Sequence, residues 1–243
     1  MPRSLDNHRF IYLLGAVLFL AACGGSDGSP EKTPSATPTV SEILATSSQR
    51  MASTQSLRFR LGVDGVTYVD NAKTIQLLEA NGELQRPDRV HARFKIKIKP
   101  GVTLSTEIIS ISGQTWATNL ITGNWGAAPE EFSYDPSVLF DNQGGVGPVM
   151  NKVTDPQIVG MEEIDGKASY HVTGSVTEEV VGPVTSSTMH GSPVAVDVWI
   201  DARTFDLLRA KLAEPASADN VHPATWTLDL YDQNKKITVE PPS

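Results

Sequence analysis

A side chain does chemistry only where a second group of the right kind stands beside it. The histidines, carboxylates, serines and thiols of the 243-residue chain are therefore the first residues to test. Five histidines, His8, His91, His171, His190 and His222, are scattered without the short spacings of a metal site. Glu162-Glu163 and Glu178-Glu179 are adjacent pairs; neighbours on a strand face opposite sides, so spacing alone makes neither an acid–base pair. Gly24-Gly25-Ser26-Asp27-Gly28 fits the nucleophile-elbow pattern G-x-S-x-G letter for letter, but that pattern works only on a strand-turn-helix of a hydrolase sheet. Here it falls in a glycine-serine tract. Gly145-Val146-Gly147 lacks the third glycine and the acidic partner of a dinucleotide fingerprint. No catalytic set, metal or cofactor is implied, which leaves the one thiol, Cys23.

Cys23 has no second cysteine to pair with, so it closes no disulfide within the chain. Two arginines, Arg3 and Arg9, precede an unbroken apolar run from Phe10 to Ala22 that ends in Leu20-Ala21-Ala22-Cys23. A membrane helix needs about 20 apolar residues and a signal-peptide core roughly 7 to 15, so the run reads as a signal core. The four residues at its end resemble the lipobox, the cleavage site of bacterial lipoprotein signal peptidase. That resemblance implies cleavage before Cys23 and acylation of its thiol, which would hold the protein to the extracytoplasmic face of the cell membrane. The alternatives are a secretory signal with an incidental cysteine and a short uncleaved membrane segment. Residues 1–22 are expected to be the signal, and residues 23–39, rich in Gly, Ser, Pro and Thr, a flexible tether.

The remainder, residues 40–243, is long enough for one domain with a sizeable core. The chain carries 20 basic and 28 acidic residues. Removing Arg3, Arg9 and Asp6 with the signal leaves 18 against 27, a balance that argues against a nucleic-acid partner. A helix is expected from Ser41 to about Ser53, capped by Ser41. Period-two alternation then takes over. Strands are expected at 56–63, closed by a turn at Asp64-Gly65; at 74–85, with a bulge at Asn81-Gly82; and at 90–99. Further strands follow at 103–111, 115–120, 157–163, 169–176, 194–200, 207–212 and 225–231. Asp135-Pro136-Ser137 reads as a capped helix start leading into Val138-Leu139-Phe140, with a second apolar turn around Val149-Met150. Glu178 to Ser192 could be a short helix or a mobile loop. The fold class is α+β: a large curved antiparallel sheet, a half-barrel, wrapped around a few short helices.

Four stretches, SLRFRLGVDG after the first helix, GELQRPDRV, TGNW, and VAVDVWIDARTFDLLRAKL near the end, resemble the LppX/LprG family (LppX, LprA, LprF and LprG) of mycobacterial and related bacterial lipoproteins. The resemblance covers nearly all of the mature chain and implies a half-barrel similar to that of the lipoprotein carriers LolA and LolB. It also implies an apolar cavity for multi-acyl lipids and a part in moving glycolipids through the cell envelope, with an envelope transport partner. It carries over one residue, Cys23.

The expected cavity lining is Phe59, Leu61, Phe94, Ile96, Ile98, Leu104, Trp116, Leu139, Val196, Val198, Trp226, Leu228 and Leu230, with Ala117 facing away. Taken singly, each is better explained by a filled core, because alternation marks a buried face without revealing a void. The row Arg93, Lys95, Lys97 and Lys99 reads as a solvated outer face or as a contact for anionic head groups. Asp197 and Asp229, within apolar strands, could order a head group or a metal, but are expected on the outside of their strands. The resulting expectation is a lipid-binding, lipid-anchored carrier and not an enzyme. Its rivals are an envelope interaction or stress-sensor module without transport, and a hydrolase with convergent His, Ser and carboxylate groups.

Overall fold

A computed structural model describes residues 37–70, 72–128, 139, 141–217 and 221–243. The expected signal, Cys23, nearly all of the tether, and Asp135-Pro136-Ser137 with Val138 and Phe140 lie outside the described residues. Everything below concerns the unit from Pro38 to Ser243.

The chain enters through α1 (Val40–Ser53). Its cap is Thr39 rather than Ser41. The Thr39 hydroxyl accepts from the Glu42 amide while the Glu42 carboxylate accepts from the Thr39 amide, 2.7 Å away, completing a capping box. Of the two caps, Thr39 stands three residues before a glutamate and Ser41 does not, so the helix starts two residues earlier than a Ser41 cap would allow. Arg86, on the loop beyond β2 (Ile75–Gln85), reaches back to the other end and donates to the Thr54 and Met51 carbonyls. α1 buries Ile43, Leu44, Ser47, Ser48 and Met51.

β1 (Ser56–Tyr68), β2, β3 (Arg89–Ile98), β4 (Val102–Ile111), β5 (Gln114–Thr118) and β6 (Trp125–Ala127) form a meander, β6 being a strand that the alternation does not reveal. α2 (Val146–Met150) follows, then β7 (Thr154–Ile164), β8 (Lys167–Val176), α3 (Glu178–Thr185), β9 (Val194–Asp201), β10 (Leu207–Ala213) and β11 (Thr225–Tyr231). All eleven strands belong to one open antiparallel sheet in the order β6-β5-β4-β3-β2-β1-β11-β10-β9-β8-β7. The fold class is as expected, a large curved antiparallel sheet with a few short helices.

Several local expectations are corrected. β1 does not stop at Asp64-Gly65; it continues to Tyr68 through a register shift between Gly62 and Thr67. Gly65 makes this possible, since its φ of +86° suits glycine and a Cβ there would collide with Pro223 and Ala224 at the start of β11. Asn81 and Gly82 sit in regular register; the bulge on β2 lies instead between Leu77 and Glu79. Gly82 is required for another reason, because a Cβ would strike the His91 carbonyl and crowd the Phe59 ring. The stretch from Glu178 divides into the helix α3 and a following loop.

Strand alternation gives the sheet two unlike faces. The concave face carries Phe59, Ala80, Val90, Ala92, Val196, Val198 and Leu230, which join the buried side chains of α1, α2 and α3 in one core. The convex face is mostly polar, and ion pairs cross it: Arg93 with Glu107, Lys95 with Glu79 at 3.4 Å, and Arg209 with Asp229 at 2.6 Å. Near β4 and β5 the residues after β11 fold over that face. Ile237 and Val239 bury Ile109 there and pack with Trp116 and Trp125. Arg89 fixes this segment by donating to the Val239 carbonyl at 2.8 Å.

The strand directions also separate the connections into two ends. The β1–β2, β3–β4, β5–β6 and β10–β11 connections lie at one end, which we term the hairpin rim. The β2–β3, β4–β5, β7–β8 and β9–β10 turns lie at the other, beside the C-terminus of α1, where Arg50 holds Asp206 of the β9–β10 turn at 2.9 Å.

Candidate functional site

The helices do not fill the concave face. Between them and the sheet lies an apolar cavity of about 480 Å³, well beyond the small voids of an ordinary packed core and in the range of small-molecule sites. β1 contributes Phe59 and Leu61, β3 Phe94 and Ile96, β9 Val196 and Val198, and β11 Trp226 and Leu228; Leu139 joins the wall from outside the sheet. Trp226 satisfies its indole N–H with the Thr67 hydroxyl at 3.0 Å, so its ring can face apolar space without leaving a polar atom unpaired.

The register explains why there is room. Ala80 stands opposite Phe94, and Ala210 stands between Val198 and Leu228. These alanines and Ala92 all line the cavity. A larger side chain at any of the three would project into the void. The opposite wall comes from α2, through Val146, Val149 and Met150, and from the end of α3. Alternation could not single out these residues, because they lie in short helices and their role depends on which strands meet across them.

Of the expected lining residues, four lie apart from this wall. Leu230 borders a smaller void with Met51, Leu57 and Leu84 beneath α1. Ile98 and Leu104 are on the concave face but farther toward the hairpin rim, as their pairing with Ile75 and Ile96 shows. Trp116 is on the convex face, in the cluster with Ile109 and Val239. Ala117, opposite the cavity residue Ile108, takes the concave side, so the orientation expected for β5 is reversed. Apolar residues occur on both faces of β5 because both faces are covered.

Polar groups are few in the wall: Thr106, Thr185, Ser186 and Thr188. The Thr185 and Thr188 hydroxyls donate to backbone carbonyls within the α3 terminus, and Thr106 bonds the Thr118 carbonyl. No charged side chain lines the cavity among the described residues. Asp197 and Asp229 are on the convex face. Asp229 pairs with Arg209, while Asp197 meets His171 Nε2 at 3.0 Å. His171 stacks on Trp199 with ring centroids 4.3 Å apart, and its Nδ1 lies 2.8 Å from Glu162, which also accepts from the Trp199 indole at 2.7 Å. Both ring nitrogens of His171 are thus engaged by carboxylates, and neither is left to activate a nucleophile. The Trp199 indole, and next the His171 ring, hold the Glu162 carboxyl below the usual carboxylate range. Among the described residues no three metal-ligating side chains converge, and no helix is long and apolar enough to cross a membrane.

The fold is thus an open antiparallel half-barrel with an apolar cavity whose wall, among the described residues, carries no charge. Residues 39–239 match the LppX_LprAFG lipoprotein family, and the chain belongs to that family. It is 25% identical to LprF of Mycobacterium tuberculosis, over 93% of this chain and 85% of that protein, whose name describes a transporter of diacylated glycolipid. It is 26% identical to the lipoarabinomannan carrier protein LprG of Mycolicibacterium smegmatis, over 100% of this chain and 98% of the other. The crystal structure of LprF from Mycobacterium bovis superposes with a TM-score of 0.68 at 21% identity, covering 85% of this chain and 98% of that one. LppX from Mycobacterium tuberculosis gives 0.59 at 16% identity, over 83% and 98%. These superpositions share the fold.

Proposed function

We propose that the protein is a lipid-anchored extracytoplasmic carrier that receives the acyl part of a lipid or glycolipid in the concave cavity and moves it through the cell envelope. In this reading residues 1–22 are removed, Cys23 is acylated, residues 23–39 tether, and residues 40–243 bind. The observation that carries the proposal is the unfilled apolar cavity, because an interaction module or stress sensor needs no void. Withdrawing a 16-carbon chain from a bilayer into water costs about 13 kcal/mol at ~0.8 kcal/mol per methylene, so a carrier must offer continuous apolar contact. The wall from Phe59 and Leu61 through Phe94 and Ile96 to Val198 and Leu228 supplies such contact. The names of the LprF and LprG relatives support a glycolipid as cargo.

Among the described residues the cavity wall offers threonine and serine hydroxyls and no charged side chain, which supports binding over hydrolysis. The test is mass spectrometry of the lipid that co-purifies with the protein from its own membranes. A stoichiometric acyl lipid is expected. Protein that emerges lipid-free, and takes up no lipid from vesicles, would overturn the reading.

A further inference from the structure

Eight large hydrophobic side chains are exposed among the described residues. Three of them, Ile158, Val159 and Met161, lie on the edge strand β7. The other five share the hairpin rim: Val66 and Val69 beside the β1–β2 connection, Val102 at β3–β4, Ile121 at β5–β6 and Val221 at β10–β11. The opposite end exposes none of this class. Single exposed apolar residues need no explanation, but their gathering on separate connections at one end of a sheet does.

Two further observations say what the rim meets. The first is continuity with the cavity. Ile96 in the cavity wall is 3% exposed; Leu104, its cross-strand partner, and Ile98 are half-buried; and Val102, paired with Ile98, is 54% exposed at the tip. Each pair faces the concave side, so an apolar track runs out of the cavity to the rim. The second is charge. Lys73 and Lys99 are exposed on these connections and Lys97 near the rim end of β3, and no carboxylate lies within ion-pair distance of them among the described residues. Lys99 rests over the Tyr68 ring at 4.9 Å. Of the nearby acids, Asp70 is turned onto the amides of Thr74 and Ile75, and Asp64 onto that of Gly65. Among the described residues the other acids at this end are engaged or distant: Glu214 accepts from the His190 and Ala224 amides, Asp155 opens β7 at the far edge of the sheet, and Glu178 and Glu179 belong to α3 on the far side of the cavity.

We infer that the hairpin rim docks on an anionic lipid bilayer, with Ile121, Val102 and Val221 entering the interface and Lys73, Lys97 and Lys99 meeting the head groups. The rim then joins the bilayer to the cavity without exposing an acyl chain to water. The docking itself stands on the rim residues; its purpose rests on the carrier reading. Interfacial cations gain roughly 1 kcal/mol each, about fivefold in partition, and a buried Ile or Val side chain adds about tenfold.

The experiment uses the mature protein purified from membranes with its own anchor. An environment-sensitive dye is placed at Ile121→Cys or Val221→Cys at the rim, or at Asp165→Cys at the opposite end. Wild-type protein serves to check that Cys23 takes no dye. Vesicles of phosphatidylethanolamine and phosphatidylglycerol carry nitroxide-labelled phosphatidylcholine. Quenching several-fold stronger at Ile121→Cys and Val221→Cys than at Asp165→Cys is expected. It should weaken when Lys73, Lys97 and Lys99 are all changed to Glu, and weaken less on vesicles without phosphatidylglycerol. Equal quenching at both ends, or none at the rim, would overturn the inference. The readout needs no lipid in the cavity, so docking and carriage fail separately.

Discussion

Cys23 and Glu162 call for two kinds of test: the role proposed for Cys23 is a modification, whereas Glu162 is defined by its neighbours. If the thiol of Cys23 is the acylation site, Cys23→Ser should incorporate no labelled fatty acid and leave the membrane fraction or remain unprocessed. Its domain should melt as the wild type does, because the tether composition makes no core. Label retained by the serine variant would refute the assignment. Glu162 tests the convex cluster. Its carboxyl lies lower in the folded protein than in the unfolded chain, first because of the Trp199 indole and then because of His171. The stability it contributes is therefore present above the ordinary glutamate range and lost as pH falls through the lowered folded value. The difference in melting temperature between wild type and Glu162→Gln should accordingly be largest near neutrality and vanish in acid. A difference independent of pH would mean that the carboxylate charge plays no part.

β3 is the element whose side-chain pattern was clearest before any coordinates. Its apolar residues, Val90 to Ile98, take the concave face and its cations the convex one. Ile96→Asp should strand a charge in the cavity wall and cost about 3 kcal/mol or more, whereas Lys97→Asp should stay within about 0.5 kcal/mol in thermal or denaturant melts. Similar losses for both would contradict the register. Legibility declines where an element is covered on both sides or where glycine changes its course. Trp116 reads as a cavity residue because alternation along β5 has apolar residues in either phase; what fixes the phase is Ile237 and Val239, more than a hundred residues later in the chain. β1 reads as ending at Asp64-Gly65 because that dipeptide is a good turn, yet the approach of Pro223 and Ala224 uses the same glycine to continue the strand. The cavity was the least legible feature. Ala80, Ala92 and Ala210 look like minor core residues until the cross-strand register sets two of them against Phe94, Val198 and Leu228.

For the whole molecule, the proposed carriage requires that space to stay open until lipid arrives. Ala210→Phe should occupy part of the 480 Å³ void from the sheet side. Bound lipid per protein should fall several-fold while the melting temperature holds or rises, as cavity-filling changes commonly produce. A variant that unfolds instead, with lipid binding lost only in proportion, would point to a packed core. The strand order has a consequence of another kind. The two halves of the sheet, β1–β6 and β7–β11, are joined by a single seam, β1 against β11, which pairs Arg58 with Tyr231 and Asp64 with Thr225. The first strand therefore waits for the last before the sheet can close, and pairing over such separations is slow to form. The cavity has no complete floor until β11 is out. If the chain is exported as proposed, it crosses the membrane as a thread that has nowhere to hold lipid, and becomes competent to bind only on the far side, once export is finished.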